Sequence, residues 1–349
     1  MPFAKALPGL VLALALALAA RLAHGLLPPR AGQIVGEVLV AVLFGLAVGN
    51  LLSLGERFAP GLKYSVQTVL RLAIVLLGAS LSLAEVGRVG GRVLLLIVAL
   101  MALALVLAHT VGRWVGTPPR LASLIGVGTA ICGNSAISAT APVIGALDEE
   151  MSFAIATNTL FGTLAVLVYP LVGQALGLSD GVFGIWSGTA VNDTSQVVAA
   201  SFAFSEAAGK MATTVKLTRN ALMGAVIVLM GWLHGGASEA GAPRASVLTR
   251  LRQSFPTFVL GFLALATLRS VGAFDAASAA LGTDLPKLLT TVARFLILVA
   301  LAAVGATTRV AQLRKIGLAP FWLGFAVATA TSVASLGAAS WLMGSQAAP

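Results

Sequence analysis

The sequence predicts an all-α, polytopic membrane protein, and three observations carry that prediction. Apolar residues make up 58% of the chain and charged residues only 10%, against roughly a quarter charged in soluble domains. The apolar residues fall in repeated runs of about 20, the length that crosses a hydrocarbon core as a helix. The basic residues are scattered between these runs, as loop positives are in membrane proteins, and do not cluster as on a nucleic-acid surface. The net charge of +10 therefore implies lipid, and no nucleic acid, as the partner. The single cysteine, Cys132, excludes an internal disulfide and a cysteine-based metal cluster. Nothing in the composition calls for a cofactor or a bound metal.

About eleven hydrophobic segments are expected, at approximately 8–27, 33–54, 64–83, 92–112, 121–146, 151–176, 182–204, 211–233, 253–271, 286–305 and 318–342. The first begins with Lys5 and an Ala/Leu run, as a secretory signal does, and reads as an uncleaved signal anchor ahead of further spans. The segments at 121–146 and 182–204 are interrupted by small and polar residues, so each either crosses fully or re-enters. With the N-terminus inside, the inner loops receive Arg57, Lys63, Arg113, Arg120, Arg244, Arg250, Arg252, Arg309, Arg314 and Lys315. The outer loops receive Arg30, Arg88, Arg92, Lys210 and Lys287 together with Asp148, Glu149 and Glu150. That bias favours a cytoplasmic N-terminus. The longest polar connection, 234–252, separates eight segments from the last three. It is too short to be a soluble domain, so residues 1–349 read as one transmembrane domain.

Three stretches put polar groups inside apolar sequence, where an ionisable side chain costs roughly 2.5–3.5 kcal/mol at a helix centre. The first is Gly128-Thr129-Ala130-Ile131-Cys132-Gly133-Asn134-Ser135. The second is Gly188-Thr189-Ala190-Val191-Asn192-Asp193-Thr194-Ser195-Gln196, with five polar side chains in a row. The third is Lys216-Leu217-Thr218-Arg219-Asn220. The first two share a Gly-Thr-Ala opening. A second, weaker similarity relates 71–80 to 294–307 at a different offset. Paired interrupted segments are a pointer to the binding site of secondary transporters with inverted repeats. Small residues also serve close helix packing, a polar run also makes a re-entrant turn, and Lys216 and Arg219 could also snorkel to an interface. In the functional reading, half-helix N-termini meet an anion, with Thr129, Cys132, Gly133, Asn134, Ser135, Thr189, Asn192, Thr194, Ser195, Gln196 and Asn220 around it. Lys216 and Arg219 supply positive charge, and Asp193 carries a proton, binds Na⁺ or neutralises Lys216. Asn50, Ser80, Asn158 and Thr159 are weaker candidates for the same cavity. No nucleophile elbow, phosphate loop or His-Glu-x-x-His motif is present, so no enzymatic reaction is expected.

The segments 128–136, 188–200 (Gly-Thr-Ala-Val-Asn-Asp-Thr-Ser-Gln-Val-Val-Ala-Ala) and 215–220 (Val-Lys-Leu-Thr-Arg-Asn), with Leu77-Gly78 and 313–317 (Leu-Arg-Lys-Ile-Gly), together resemble a family of conserved hypothetical bacterial inner-membrane proteins named for sulfate export. That family is similar in turn to sodium–bile acid symporters and cation–proton antiporters. The resemblance covers nearly the whole chain. It implies inverted repeats with crossing broken helices at 128–136 and 188–196, and export of a small anion such as sulfate coupled to H⁺ or Na⁺. Members of the family carry His-Glu where this chain has Asn192-Asp193, so the carboxylate is kept and a histidine-based proton step is not implied. Two further readings stay open: a cation–proton antiporter using Asp193, and a membrane scaffold or sensor that moves nothing. Homo-oligomerisation is compatible with each.

Overall fold

The computed structural model describes residues 3–28, 36–52, 54–80, 90–234, 257–308 and 317–344. These are helical, with no strand among the described residues. In chain order the helices are α1 (Phe3–Gly25), α2 (Glu37–Leu51), α3 (Glu56–Ser80, with a π turn at Ser65–Val69), α4 (Gly90–Trp114), α5 (Pro119–Ala130), α6 (Asn134–Thr140) and α7 (Asp148–Ala175). There follow α8 (Asp180–Ala190), α9 (Thr194–Phe204), α10 (Glu206–Ala221), α11 (Met223–Leu233), α12 (Thr257–Ser270), α13 (Ala273–Leu281), α14 (Leu285–Thr307) and α15 (Leu318–Gly344).

Six of these helices are long and apolar enough to cross a membrane, or up to eight if each bent pair, α10–α11 and α12–α13, is one crossing. The chain is a multi-pass membrane protein. Unbroken apolar helices alone are fewer than the eleven expected segments, for a physical reason. Every expected segment meets a helix, but α2 has only 15 residues, and the segments at 121–146 and 182–204 are each split between two short helices. Hydropathy registers apolar length and does not register a break. Most of the expected polar connection, 235–252, lies outside the described residues. So do Arg30, Arg88, Arg309 and residues 313–316 of the basic loop.

The chain forms two compact units. Unit 1 comprises Met1–Gly90, Val198–Lys210 and Thr257–Val310; unit 2 comprises Gly91–Val197, Met211–Pro256 and Ala311–Pro349. In unit 1, α14 packs against α1, α2 and α3. The seam with α2 is made by small residues: a Cβ on Gly305 would stand 2.8 Å from the Leu46 nitrogen, and one on Gly49 2.9 Å from the Ala306 carbonyl carbon. Lipid is as apolar as leucine, so helices in a membrane gain from such close backbone approach and not from burying larger side chains. The alanines around it, Ala13, Ala17, Ala41, Ala302 and Ala303, are buried for the same reason. Asn50 Nδ2 ties the end of α2 to the Thr308 carbonyl at 2.8 Å.

In unit 2, α7 packs on α5, and α15 packs on α5, α7 and α8. Polar atoms fix the α8–α15 contact: Trp186 Nε1 donates to the carbonyl and the hydroxyl of Ser332 at 3.1 Å each, and the Thr189 and Ser335 hydroxyls share a hydrogen bond. Tyr169 of α7 stacks on Trp186 at 4.2 Å. These contacts hold α5 and α8, the two helices that run into the site.

Candidate functional site

The site grows from two helix breaks. Helix α5 ends at Ala130. Ile131 leaves helical geometry at φ −121°, ψ −100°, and Gly133 takes φ +70°, ψ −128°, before α6 restarts at Asn134. A positive φ with that ψ suits a residue without a Cβ. Helix α8 ends at Ala190, Val191 is extended at φ −77°, ψ 138°, and α9 restarts at Thr194. The two breaks lie against each other: a Cβ on Gly133 would sit 3.1 Å from Asp193 Cα and 2.8 Å from Asn158 Nδ2. Two interrupted helices therefore cross at their interruptions.

Each break leaves the last carbonyls of a helix without helical partners, and these carry partial negative charge. Helix α10 supplies both partners from one face. Lys216 and Arg219 stand three residues apart and are 0% and 2% exposed. Lys216 Nζ donates to the carbonyls of Ile131 (2.6 Å), Val191 (3.0 Å) and Asn192. Arg219 Nε donates to Ala130 (3.0 Å), Nη1 to Gly188 (3.1 Å) and Thr189, and Nη2 to Thr129. Neither side chain snorkels to an interface, and neither meets a carboxylate at ion-pairing distance among the described residues. Their charge is directed at the C-terminal ends of α5 and α8, whereas the sequence reading aimed it at an anion on the N-terminal ends of α6 and α9.

Asp193 belongs to its own helix. Its Oδ1 accepts from the Ser195 amide at 2.9 Å and the Ser195 hydroxyl at 2.6 Å, and its amide faces Gln196 Oε1 at 3.4 Å. This is an N-cap at the start of α9, with Gln196 reaching back to the Asp193 amide and the carboxylate on the positive end of the helix. Around it lies a polar cluster. Asn158 Nδ2 donates to Asn134 Oδ1 at 2.8 Å, Asn134 Nδ2 to Thr159 at 3.3 Å, Gln196 Nε2 to the Thr159 carbonyl at 3.3 Å, and Asn220 Nδ2 to Thr194 at 3.2 Å. Two buried acceptors, Asn158 Oδ1 and Asn220 Oδ1, have no hydrogen-bond partner among the described residues.

The expected residues thus divide. Gly133, Asn134, Asp193, Thr194, Ser195, Gln196 and Asn220 come together, and Ser135 is exposed beside them. Thr129 and Thr189 contribute carbonyls only, because their hydroxyls bond back to Ile125 and Ile185. The Cys132 thiol turns to the Met223 sulfur at 3.5 Å. Asn192 contributes its carbonyl to Lys216 and lines a separate cavity of about 250 Å³ with Tyr169, Thr329 and Ser332. Asn158 and Thr159, ranked low from sequence, are central. Their signal was the run Thr157-Asn158-Thr159 inside an otherwise apolar α7. Among the described residues no group of three His, Cys, Asp or Glu side chains is placed to hold a metal ion.

The family described as conserved hypothetical protein 698 matches residues 8–324. The chain belongs to this family. Its relatives include a UPF0324 membrane protein of Agrobacterium fabrum, 36% identical over 312 residues, 89% of this chain and 86% of the relative. A UPF0324 membrane protein of Streptococcus agalactiae is 34% identical over 348 residues, 97% and 99% of the two chains, and one of Clostridium tetani is 30% identical over 340 residues, 94% of each. The matched region of the conserved hypothetical protein 698 family contains the whole crossing, from Thr129 to Asn220. The relatives' names state a membrane protein, in agreement with the long apolar helices described above.

Proposed function

We propose that this chain is a secondary transporter of the bacterial inner membrane, with its N-terminus in the cytoplasm, which exports a small anion such as sulfate coupled to H⁺ or Na⁺. One observation carries the reading: two interrupted helices meet at their breaks, and the buried formal charge there is uneven. Four helix ends converge, two negative and two positive, so their partial charges nearly cancel. Lys216 and Arg219 together outnumber the one carboxylate, Asp193, by one unit of charge. That surplus favours an anion at the crossing. Protonation of Asp193 would raise the surplus to two, so proton binding and anion binding would each strengthen the other, as linkage requires. Crossing or broken helices near mid-membrane are where secondary transporters bind their substrates. Sulfate itself rests on the family resemblance. The reading contains no enzymatic step.

A second reading, cation–proton antiport, is favoured by the two unpartnered acceptors. Asn158 and Asn220, 3% and 2% exposed, belong to the polar cluster around Asp193 and keep their Oδ1 atoms unpartnered among the described residues, and oxygen ligands with one carboxylate suit a hard cation. Labelled-sulfate flux in proteoliposomes, with pH and Na⁺ gradients imposed separately, separates the readings. Gradient-driven sulfate flux that loses its gradient dependence in Asp193→Asn is the expected result. Cation-dependent proton flux with no sulfate movement selects antiport. No flux of either kind returns the chain to a scaffold or sensor.

A further inference from the structure

Unit 1 holds an open basin of about 710 Å³ that shares no residue with the crossing. Its walls come from the start of α10, the bend between α12 and α13, and the start of α14. Lys210, Arg269, Lys287 and Arg294 line it, with two carboxylates, Asp275 and Asp284. The carboxylates are already engaged. Asp275 Oδ1 pairs with Arg269 at 2.6 Å, and Asp284 Oδ1 caps α14 by accepting the Lys287 amide at 3.0 Å. Just behind the wall, Glu206 Oε1 holds Lys210 at 3.0 Å and also Arg294, which sets two cations side by side on one oxygen. The Lys287 ammonium meets no carboxylate at ion-pairing distance among the described residues. Counting Asp275, Asp284 and Glu206 against the four cations leaves one positive charge in excess. Donors exceed acceptors by more than that, because each guanidinium carries five N–H groups in a fork that fits an oxyanion. The N-terminal end of the 23-residue α14 opens on the same space and adds its positive dipole.

Size and surroundings select among oxyanions. Water in the liquid occupies about 30 Å³, and a lone tetrahedral oxyanion, needing only a few such volumes, would touch one wall of this open basin and leave room for a larger group. Exposed apolar side chains neighbour its lining residues in the chain: Leu268 and Val271 near Arg269 at the end of α12, and Leu288 and Val292 beside Lys287 and Thr291 on α14. We infer that this basin binds a phosphate- or sulfate-type oxyanion, presented as the headgroup of an anionic phospholipid whose acyl chains run along Leu268, Val271, Leu288 and Val292. Lys287 and Arg294 are the principal contacts, with Arg269 and Lys210 at the rim. The site is independent of the transport reading.

The test is thermal unfolding of the full chain in neutral detergent, titrated with short-chain phosphatidylglycerol, short-chain phosphatidylcholine or inorganic phosphate. The expected result is a rise of several degrees with phosphatidylglycerol and none with phosphatidylcholine. Lys287→Gln, which leaves every ion pair named above intact, unfolds at the wild-type temperature without ligand and needs at least fivefold more phosphatidylglycerol for half the rise. Arg294→Gln behaves alike in the titration. If inorganic phosphate gives the whole rise, also weakened in Lys287→Gln, the oxyanion site stands and its occupant is the free ion. Equal responses to the two lipids with none to phosphate, or unchanged titrations in both variants, overturn the proposal. No gradient or flux enters the measurement, so its failure leaves the transport reading untouched.

Discussion

The two units hold positive charge in opposite ways. In unit 2, Lys216 and Arg219 are buried and meet only backbone carbonyls from two helix ends. In unit 1, Lys210 and Arg294 are partly exposed and share the carboxylate of Glu206. The first arrangement removes two full charges from water, which costs several kcal/mol per ion unless every donor finds a partner. The second leaves water in attendance, so forming or breaking a pair changes little. The contrast teaches that the carbonyl-bound pair has an architectural role beside the charge it brings to the crossing. Those cations let two helices stop in the middle of an apolar unit without orphaned carbonyls, while the exposed cations remain available to a ligand.

Substitutions can break this contrast in graded steps. Arg219→Met leaves the carbonyls of Thr129, Ala130, Gly188 and Thr189 unpaired together, and should lower stability by roughly 3–5 kcal/mol, read as unfolding temperature in detergent. Arg219→Lys should recover less than half, since one ammonium cannot fork across two helix ends as a guanidinium does. Full recovery would show that charge alone, and not geometry, holds the breaks. Next is Gly133→Ala, which forces a Cβ into a positive-φ position 2.8 Å from Asn158 Nδ2. A cost of about 1–3 kcal/mol is expected, and a smaller loss in the double variant with Asn158→Ala would tie the strain to that contact. Asp193→Ala should cost about 1 kcal/mol as a lost N-cap, and Asp193→Asn only a few tenths, because asparagine caps as well. A large stability loss in Asp193→Asn would mean that the carboxylate, like the cations, is structural. Smallest is Glu206→Gln, where about 0–1 kcal/mol is expected, fading as salt is raised.

Much of this was legible in the sequence. Apolar run length and low charge point to the helical membrane class, and the repeated Gly-Thr-Ala opening marks both breaks. The polar row 192–196 marked the site, but the use of Asp193 as the cap of α9 shows only in the structure. What lay beyond reach was non-local. Lys216 and Arg219 read equally as snorkelling, since their partners stand 24 to 90 residues away in sequence. Nothing in a linear pattern tells a cation that meets an anion from one that meets a helix end. Asn158 was undervalued because a single amide in an apolar helix usually bonds across to a neighbour, and its meeting with Gly133 and Asn134 exists only once the helices cross. The count of crossings is the part that unbroken helices do not reproduce, because a segment split by a three-residue gap has the hydropathy of a continuous one.

The clamp has a consequence for how the chain is made. Ribosomes deliver residues in order, and the carbonyls of Thr129, Ala130 and Ile131 emerge some 85 to 90 residues before the side chains that bind them. During that interval the α5 end has no cationic partner, and lipid offers none. The break between α5 and α6 therefore cannot settle when it is inserted. It gains its cationic partners only when α10 arrives, which serves both breaks together. A nascent chain stalled ahead of Lys216 therefore holds four half-helices joined by the amide cluster of Asn134, Asn158 and Gln196 but with their C-terminal carbonyls unpartnered.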